Sequence, residues 1–253
     1  MATAAQPPPL VPEEGDDDDF SGYANTILSL FRSGHPKWGF LIYRTTYDDD
    51  DAWNRFMDVF TRIAEHFLRK FGKQQRLQPY LHWTVMDDRT AFENASKDAI
   101  RDHFRNWIDT RSVERDGPGA DRADITGRSP RYNTCVYVDK AAVEEASMEL
   151  GPRPEFGIYR YKGRVILIDA QFGQHLQGPT ELTEFELQEI ANGEYTMEDI
   201  EEDDEYELIE GRSEYDVGWM YVKLEFVSAA YEELAAGLHS WTRLYKRPPK
   251  TFP

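Results

Sequence analysis

A single cysteine, Cys135, leaves no partner for an internal disulfide and too few thiols for a multi-cysteine zinc site. It sits in the alternating run from Tyr132 to Val138, where a buried strand thiol is the expectation. No apolar run approaches the roughly eighteen residues that a membrane span requires. The stretch from Met1 to Pro12 is proline-rich and lacks the basic-then-apolar order of a signal peptide, so a soluble cytoplasmic protein is expected. Also missing are a Walker loop, GxSxG, HExxH, a glycine-rich dinucleotide turn and any pair of histidines at ligand spacing. These absences remove the usual nucleotide, serine-hydrolase and zinc signatures and leave no cofactor to expect. His82, inside an aromatic run, is the best placed of the histidines to act as a general base.

Positive charge is absent from two segments. Glu181 to Glu210 holds fourteen acids and no Lys or Arg, and Glu13 to Asp19 holds six more acids, again without a base. Removing these twenty from the forty-seven acids leaves twenty-seven against twenty-nine Lys and Arg. The formal net charge of −18 is therefore local, and the body can still meet a polyanion such as RNA.

Residues 1–22 combine a proline run, acids and glycine, a composition that predicts a disordered leader. A single domain is expected over residues 23–240, including the acidic segment 181–210, followed by a basic, proline-rich extended tail over 241–253. Within the domain, WGFLIY (Trp38 to Tyr43) has strand length. Trp53, Phe56, Phe60, Ile63, Ala64, Phe67 and Leu68 recur at helical spacing behind the capping acids Asp48 to Asp51, and Gly72 is the natural stop. Tyr80 to Met86 reads as a strand, Asp87 and Asp88 as a cap, and Lys97 to Ile108 as a helix. Residues 111–131 read as a loop, Asn133 to Val138 as a strand and Ala141 to Met148 as a helix. Phe156 to Tyr161 and Arg164 to Ala170 read as a hairpin, Gly218 to Phe226 as a strand, and the stretch after Ser228 as a helix. The expected fold is α+β: one layered domain with a mainly antiparallel sheet and helices on one face, in the ferredoxin-like style. A doubly wound α/β sheet is the alternative.

The acidic segment ends in Asp203-Asp204-Glu205-Tyr206-Glu207, a DDxxE array. Its carboxylates exceed any capping need, and apolar residues such as Tyr195, Met197, Ile200 and Leu208 give it something to pack with. Crowded carboxylates suit a cation, proton abstraction from an amine, or a guanidinium. Asp203, Asp204 and Glu207 are the candidate catalytic residues.

With this motif the chain resembles the fungal arginine-containing cyclodipeptide synthases, whose hallmark is DDxxE. The resemblance implies a cytosolic, cofactor-free aminoacyltransferase of secondary metabolism. It would draw on arginyl-tRNA and a second aminoacyl-tRNA to form a cyclo(Arg-Xaa) diketopiperazine, with no membrane or DNA partner. The ester carries the driving force, so the protein must position two acyl groups, deprotonate an ammonium and stabilise an oxyanion. Three basic clusters are expected to meet tRNA phosphates: Arg62, Arg69, Lys70, Lys73 and Arg76; Arg101, Arg105 and Arg111; and Arg243, Lys246, Arg247 and Lys250. Two other functions fit the acidic segment, a protein-interaction module and a Mg²⁺-dependent hydrolase using the same carboxylates.

Overall fold

The computed structural model describes residues 7–8, 10–14, 16, 22–146, 149–153, 158–161, 163–173, 206–237 and 240–253. The chain divides into two compact units: Met1–Ala170 with Trp219–Pro253, and Gln171–Gly218. The expected single domain is thus a main unit interrupted by a second one that contains the acidic segment. The interruption falls between strands that are neighbours in the sheet, where the chain leaves and returns at one place and a long insertion costs little closure entropy.

In chain order the elements are α1 (Ala24–Ser33), β1 (Leu41–Arg44), α2 (Asp50–Lys70), α3 (Gln74–Leu77), β2 (Thr84–Met86), α4 (Arg89–Phe92), α5 (Lys97–Asp109) and α6 (Val113–Asp116). There follow β3 (Thr134–Val138), α7 (Lys140–Ala146), β4 (Glu149–Arg153), β5 (Ile158–Tyr161), β6 (Arg164–Asp169), β7 (Trp219–Lys223), α8 (Val227–Leu234), α9 (Ser240–Leu244) and β8 (Thr251–Phe252). The long helix formed as its pattern requires. Asp49 accepts a hydrogen bond from the Ala52 amide at 2.8 Å, and Trp53, Phe56, Val59, Phe60, Ile63, Ala64 and Leu68 are buried. Gly72, at φ +67°, ends the helix while Lys73 N donates to Leu68 O at 2.8 Å.

The main unit holds helices, a six-stranded mixed sheet of order β2-β1-β3-β6-β7-β8 and a two-stranded sheet of β4 and β5. The expected antiparallel bias needs correcting. β1 runs parallel to both β2 and β3, and β7 is parallel to β8, while β6 is antiparallel to β3 and β7. Helices also cover both faces rather than one. Because β2 and β3 flank β1 on opposite sides, two right-handed crossovers must pass over opposite faces. Accordingly, α2, on the first crossover, packs with Phe40, Ile42, Val136, Val138, Leu167 and Met220. The second crossover carries α5, whose Phe104 and His103 meet Tyr43 from the other side. The alternation inside β1 follows from the strand period of two. Leu41 and Tyr43 are as buried as Phe40 and Ile42, which is the signature of a central strand covered on both faces.

β5 pairs with β4 in a separate two-stranded sheet, so the expected hairpin of β5 with β6 does not form. Both segments have strand composition, and composition does not choose the partner. The tail is not simply extended either: it forms α9 and then adds β8 to the sheet edge beside Tyr221 and Val222. Among the described leader residues, Leu10 joins the core and Asp16 is 3 % exposed. This part of the leader is docked, because Leu10 buries apolar surface and Asp16 meets two cations on the body.

At the amino edge of the parallel strands lies a buried guanidinium. Arg131 is 2 % exposed and donates to Gly39 O (2.9 Å), His82 O (2.8 Å) and Thr84 Oγ1 (2.5 Å). Gly39 has φ +107°, and a Cβ there would stand 3.1 Å from the Trp83 ring and 3.2 Å from His82 O, so the close approach requires glycine. The 111–131 segment behind Arg131 is packed rather than a free loop. Ala120 and Ile125 are fully buried, and His35 Nδ1 meets Pro118 O at 3.1 Å. A carbonyl can only accept, so Nδ1 carries the proton and His35 Nε2 faces the Tyr132 hydroxyl at 3.4 Å.

Two predictions concern this edge. Replacing Arg131→Met strands two carbonyls and a hydroxyl in the interior, and should cost about 3 kcal/mol or more in urea denaturation. His35 is fully buried, and that burial, with help from nearby Arg131 and Lys37, pushes its pKa down from 6.5 to about 4. The unfolded chain therefore binds this proton at higher pH than the folded one. The associated stability is complete above pH 6.5 and is lost as pH falls through 4. Between about pH 7.5 and about pH 5 the wild type should lose roughly 2 kcal/mol more than His35→Gln; equal losses would remove His35 from the acid response.

Candidate functional site at the carboxyl edge of the parallel strands

Strand order reverses about β1, since the chain goes from β1 out to β2 and then back across to β3. Open α/β sheets bind ligands outside the carboxyl ends of the strands at such a reversal. Here the place lies between the segment following β1 and the segment following β3. Thr45 starts the first of these, and both its amide (3.1 Å) and its hydroxyl (3.0 Å) donate to Val138 O at the end of β3. Asn94, left-handed at φ +55°, donates its amide to Thr45 O at 2.9 Å, which fastens the α4–α5 junction to the same spot. Across the gap Asp139 caps α7 through the Ala142 amide at 2.8 Å. Lys140 Nζ reaches back to Asp48 Oδ2 at 2.8 Å, so an exposed ion pair spans the crevice.

Arg44, the last residue of β1, is the centre of the charged network. Its side chain is 6 % exposed and pairs with Asp50 and, at 3.5 Å, with Asp87. The guanidinium lies 4.4 Å from the Tyr47 ring centroid and 5.0 Å from a ring of Trp53, and Nε donates to Thr46 O at 2.9 Å. Arg89 approaches Tyr47 at 5.9 Å and pairs with Glu93 at 2.8 Å. The Tyr47 hydroxyl is buried beside Asp87. Burial first, then the charge of Asp87, pushes its pKa up to about 12. Carboxylates outnumber cations along this edge.

The acids read as caps divide into three roles. Asp49 and Asp88 do cap α2 and α4, Asp50 and Asp87 hold Arg44, and Asp48 holds Lys140. Sequence reading missed Arg44, although its signal is visible as a lone cation ending the apolar run WGFLIY with acids following.

Asp203 and Asp204 lie outside the described residues. Glu207 is exposed, in the unit formed by residues 171–218. There Tyr206 N donates to Ser213 O at 3.2 Å, and Ile209 and Arg212 exchange amide–carbonyl bonds of 3.0 Å. Glu210 (φ +53°) and Gly211 (φ +83°) turn the corner, as a two-residue hairpin of primed type requires. The rings of Tyr206 and Tyr215 stand 5.4 Å apart across it. Glu207 is thus on one arm of a tight hairpin.

The basic clusters fare unequally. Arg62, Arg69 and Lys70 are exposed, while Lys73 and Arg76 are engaged by the leader. Arg101 is 3 % exposed, pairs with Asp98 and donates to Asp169 O at 2.9 Å, and Arg105 donates to Ala170 O at 2.6 Å. These two cations fasten α5 to the end of β6, which removes Arg101 from the phosphate-contacting set. Arg247 is buried, whereas Arg243, Lys246 and Lys250 are exposed. His82 stands at the amino edge, opposite the crevice, with its ring 3.2 Å from Thr84 Oγ1. Cys135 is fully buried, which pushes its thiol pKa up, away from nucleophilic use.

Among the described residues, no three His, Cys, Asp or Glu side chains are placed to hold a metal ion, and no helix is long and apolar enough to cross a membrane. Arg44→Lys keeps the charge but loses the planar fork between two rings, and should cost about 1–2 kcal/mol by chemical denaturation. A cost equal to that of an exposed Arg55→Lys control would show that the stacking contributes nothing. Comparison with protein-family models, with curated proteins and with solved structures finds no match to this chain.

Proposed function

We propose that this protein is a tRNA-dependent cyclodipeptide synthase that joins arginine to a second amino acid as a cyclo(Arg-Xaa) diketopiperazine. The observation that carries the reading is the DDxxE array at Asp203, Asp204 and Glu207, at the end of a segment with fourteen acids and no base. Two further features support it. The edge beyond β1 and β3 already holds a guanidinium, that of Arg44, between carboxylates and aromatic rings, chemistry that also suits an α-ammonium or the guanidinium of a ligand. Exposed cations at the end of α2 and in the tail give a body of near-neutral charge a surface for RNA phosphates.

The reaction is aminolysis. The amine of one aminoacyl group attacks the ester carbonyl of the other, a tRNA leaves, and the dipeptidyl ester closes on its own amine as the second tRNA leaves. A carboxylate that accepts the ammonium proton makes the nucleophile, and fixed donors must meet the oxyanion.

Expression in a microbial host followed by mass spectrometry of the medium should reveal an arginine-containing diketopiperazine. Asp203→Ala, Asp204→Ala and Glu207→Ala should each abolish it while circular dichroism stays unchanged. Product formation that survives all three substitutions would take the motif out of the mechanism. Absence of product from the wild type in the presence of charged tRNA would favour the interaction module.

A further inference from the structure

The acidic leader is positioned on cations that a polyanion would otherwise reach. Asp16 is 3 % exposed, with Oδ1 on Lys73 Nζ at 2.9 Å and Oδ2 accepting from Arg76 and, at 2.7 Å, from the Glu13 amide. Arg76 also pairs with Glu13 and donates to Val11 O at 2.6 Å. The helix dipole accounts for Arg69 and Lys70, which lie in the last turn of α2. It does not account for Lys73, which comes after that turn and precedes α3.

We infer that Lys73 and Arg76 form an RNA-backbone contact and that the leader is its tethered competitor. This rests on the proposed use of tRNA. Two carboxylates and a carbonyl converge on one guanidinium as phosphate oxygens would, and a fork of donors serves either anion. Leu10 in the core and Tyr80 Oη donating to Pro8 O at 2.7 Å also fasten the leader. Of the six carboxylates between Glu13 and Asp19, the described Glu13 and Asp16 make the pairs with Lys73 and Arg76. Beside the covered cations, Lys70 stands 5.7 Å from the rings of Phe67 and Phe71, and Phe71 is 40 % exposed. Cations interleaved with an open aromatic face suit a nucleic acid, whose bases stack, better than an acidic protein. The leader then sets a threshold: only an RNA that brings several phosphates at once displaces it.

The experiment measures binding of bulk tRNA to the full chain by fluorescence polarisation at low and moderate salt. Glu13→Gln with Asp16→Asn should tighten binding about tenfold and steepen the salt dependence by about two counterions. Leu10→Ala, which loosens the leader without touching its charge, should shift binding the same way by less. Adding Lys73→Glu and Arg76→Glu to the neutralised leader should erase the gain. A peptide of residues 7–19 added in trans should weaken tRNA binding by the leader-neutralised variant. Folded leader variants that bind tRNA no more tightly than wild type overturn the inference, whatever the diketopiperazine assay gives. Tighter tRNA binding in a protein that makes no diketopiperazine sustains the leader's role and removes the synthase reading alone.

Discussion

Arg131 carries a full charge into the interior and meets two carbonyls and a hydroxyl there, with no carboxylate in ion-pairing reach among the described residues. An isolated buried charge is costly, so the groups around it must be held where they satisfy it. Gly39 leads into β1, while His82 and Thr84 lead into and begin β2, and Arg131 comes just before β3. One side chain therefore fixes the three parallel strands at their amino edge. Tyr231 of α8 closes over the same corner, its ring 4.9 Å from Phe40 and 5.4 Å from Trp38. The Trp38 indole donates to Leu77 O at 2.9 Å, which adds α3 to the assembly. Buried hydrogen bonds of this kind specify geometry more than they add net stability.

Fixing the amino edge has consequences at the other end. With β1, β2 and β3 in register, their carboxyl ends emerge together, and the segments that follow must start from neighbouring points. That brings Arg44, Asp87 and Lys140, far apart in sequence, into one charged edge. The arrangement needs no glycine-rich phosphate turn. Its character is instead set by which residues stop the strands: an arginine at the end of β1, acids at the head of α2 and α4, and a lysine at the head of α7. Each acid there serves the helix that follows it or the cation beside it, so capping and site chemistry share the same residues.

Local pattern made α2 and α5 legible, because hydrophobic spacing and an acid or serine cap depend only on nearby residues. Asp49 and Ser96 occupy their N-cap positions, and Gly72 stops α2 as its conformational freedom allows. Strand direction was not legible. WGFLIY has the same composition whether its neighbours run with it or against it, and only the crossovers through α2 and α5 decide. β5 failed for the same reason: a strand-like run beside another run suggests a hairpin, but pairing energy depends on partners elsewhere. The leader misled in the opposite sense. Its composition cannot form a core alone, yet Leu10 and Asp16 find complementary groups on the body, which no window of sequence displays. Asp87 and Asp50 were visible as caps, while their hold on Arg44 required the fold. Of the DDxxE residues, Glu207 falls on a hairpin arm that the Glu210-Gly211 turn makes intelligible in retrospect.

The distribution of charge ties these features together. A body with nearly equal numbers of acids and bases is attached to two acidic segments, so most of the field comes from parts that are not the sheet. Where the leader meets the body, it meets cations, and both Asp16 oxygens are consumed. Pairing of this kind lowers the local positive potential, and because the Asp16 side chain is 5 % exposed and its two partners 16 %, burial as well as charge holds it. Arg101 shows the contrast. It is equally cationic, but its side chain is 3 % exposed and donates to Asp169 O, and exchanging that bond for a phosphate would break the joint between α5 and β6. The described basic residues thus divide between those that hold the leader and those that join elements of the sheet.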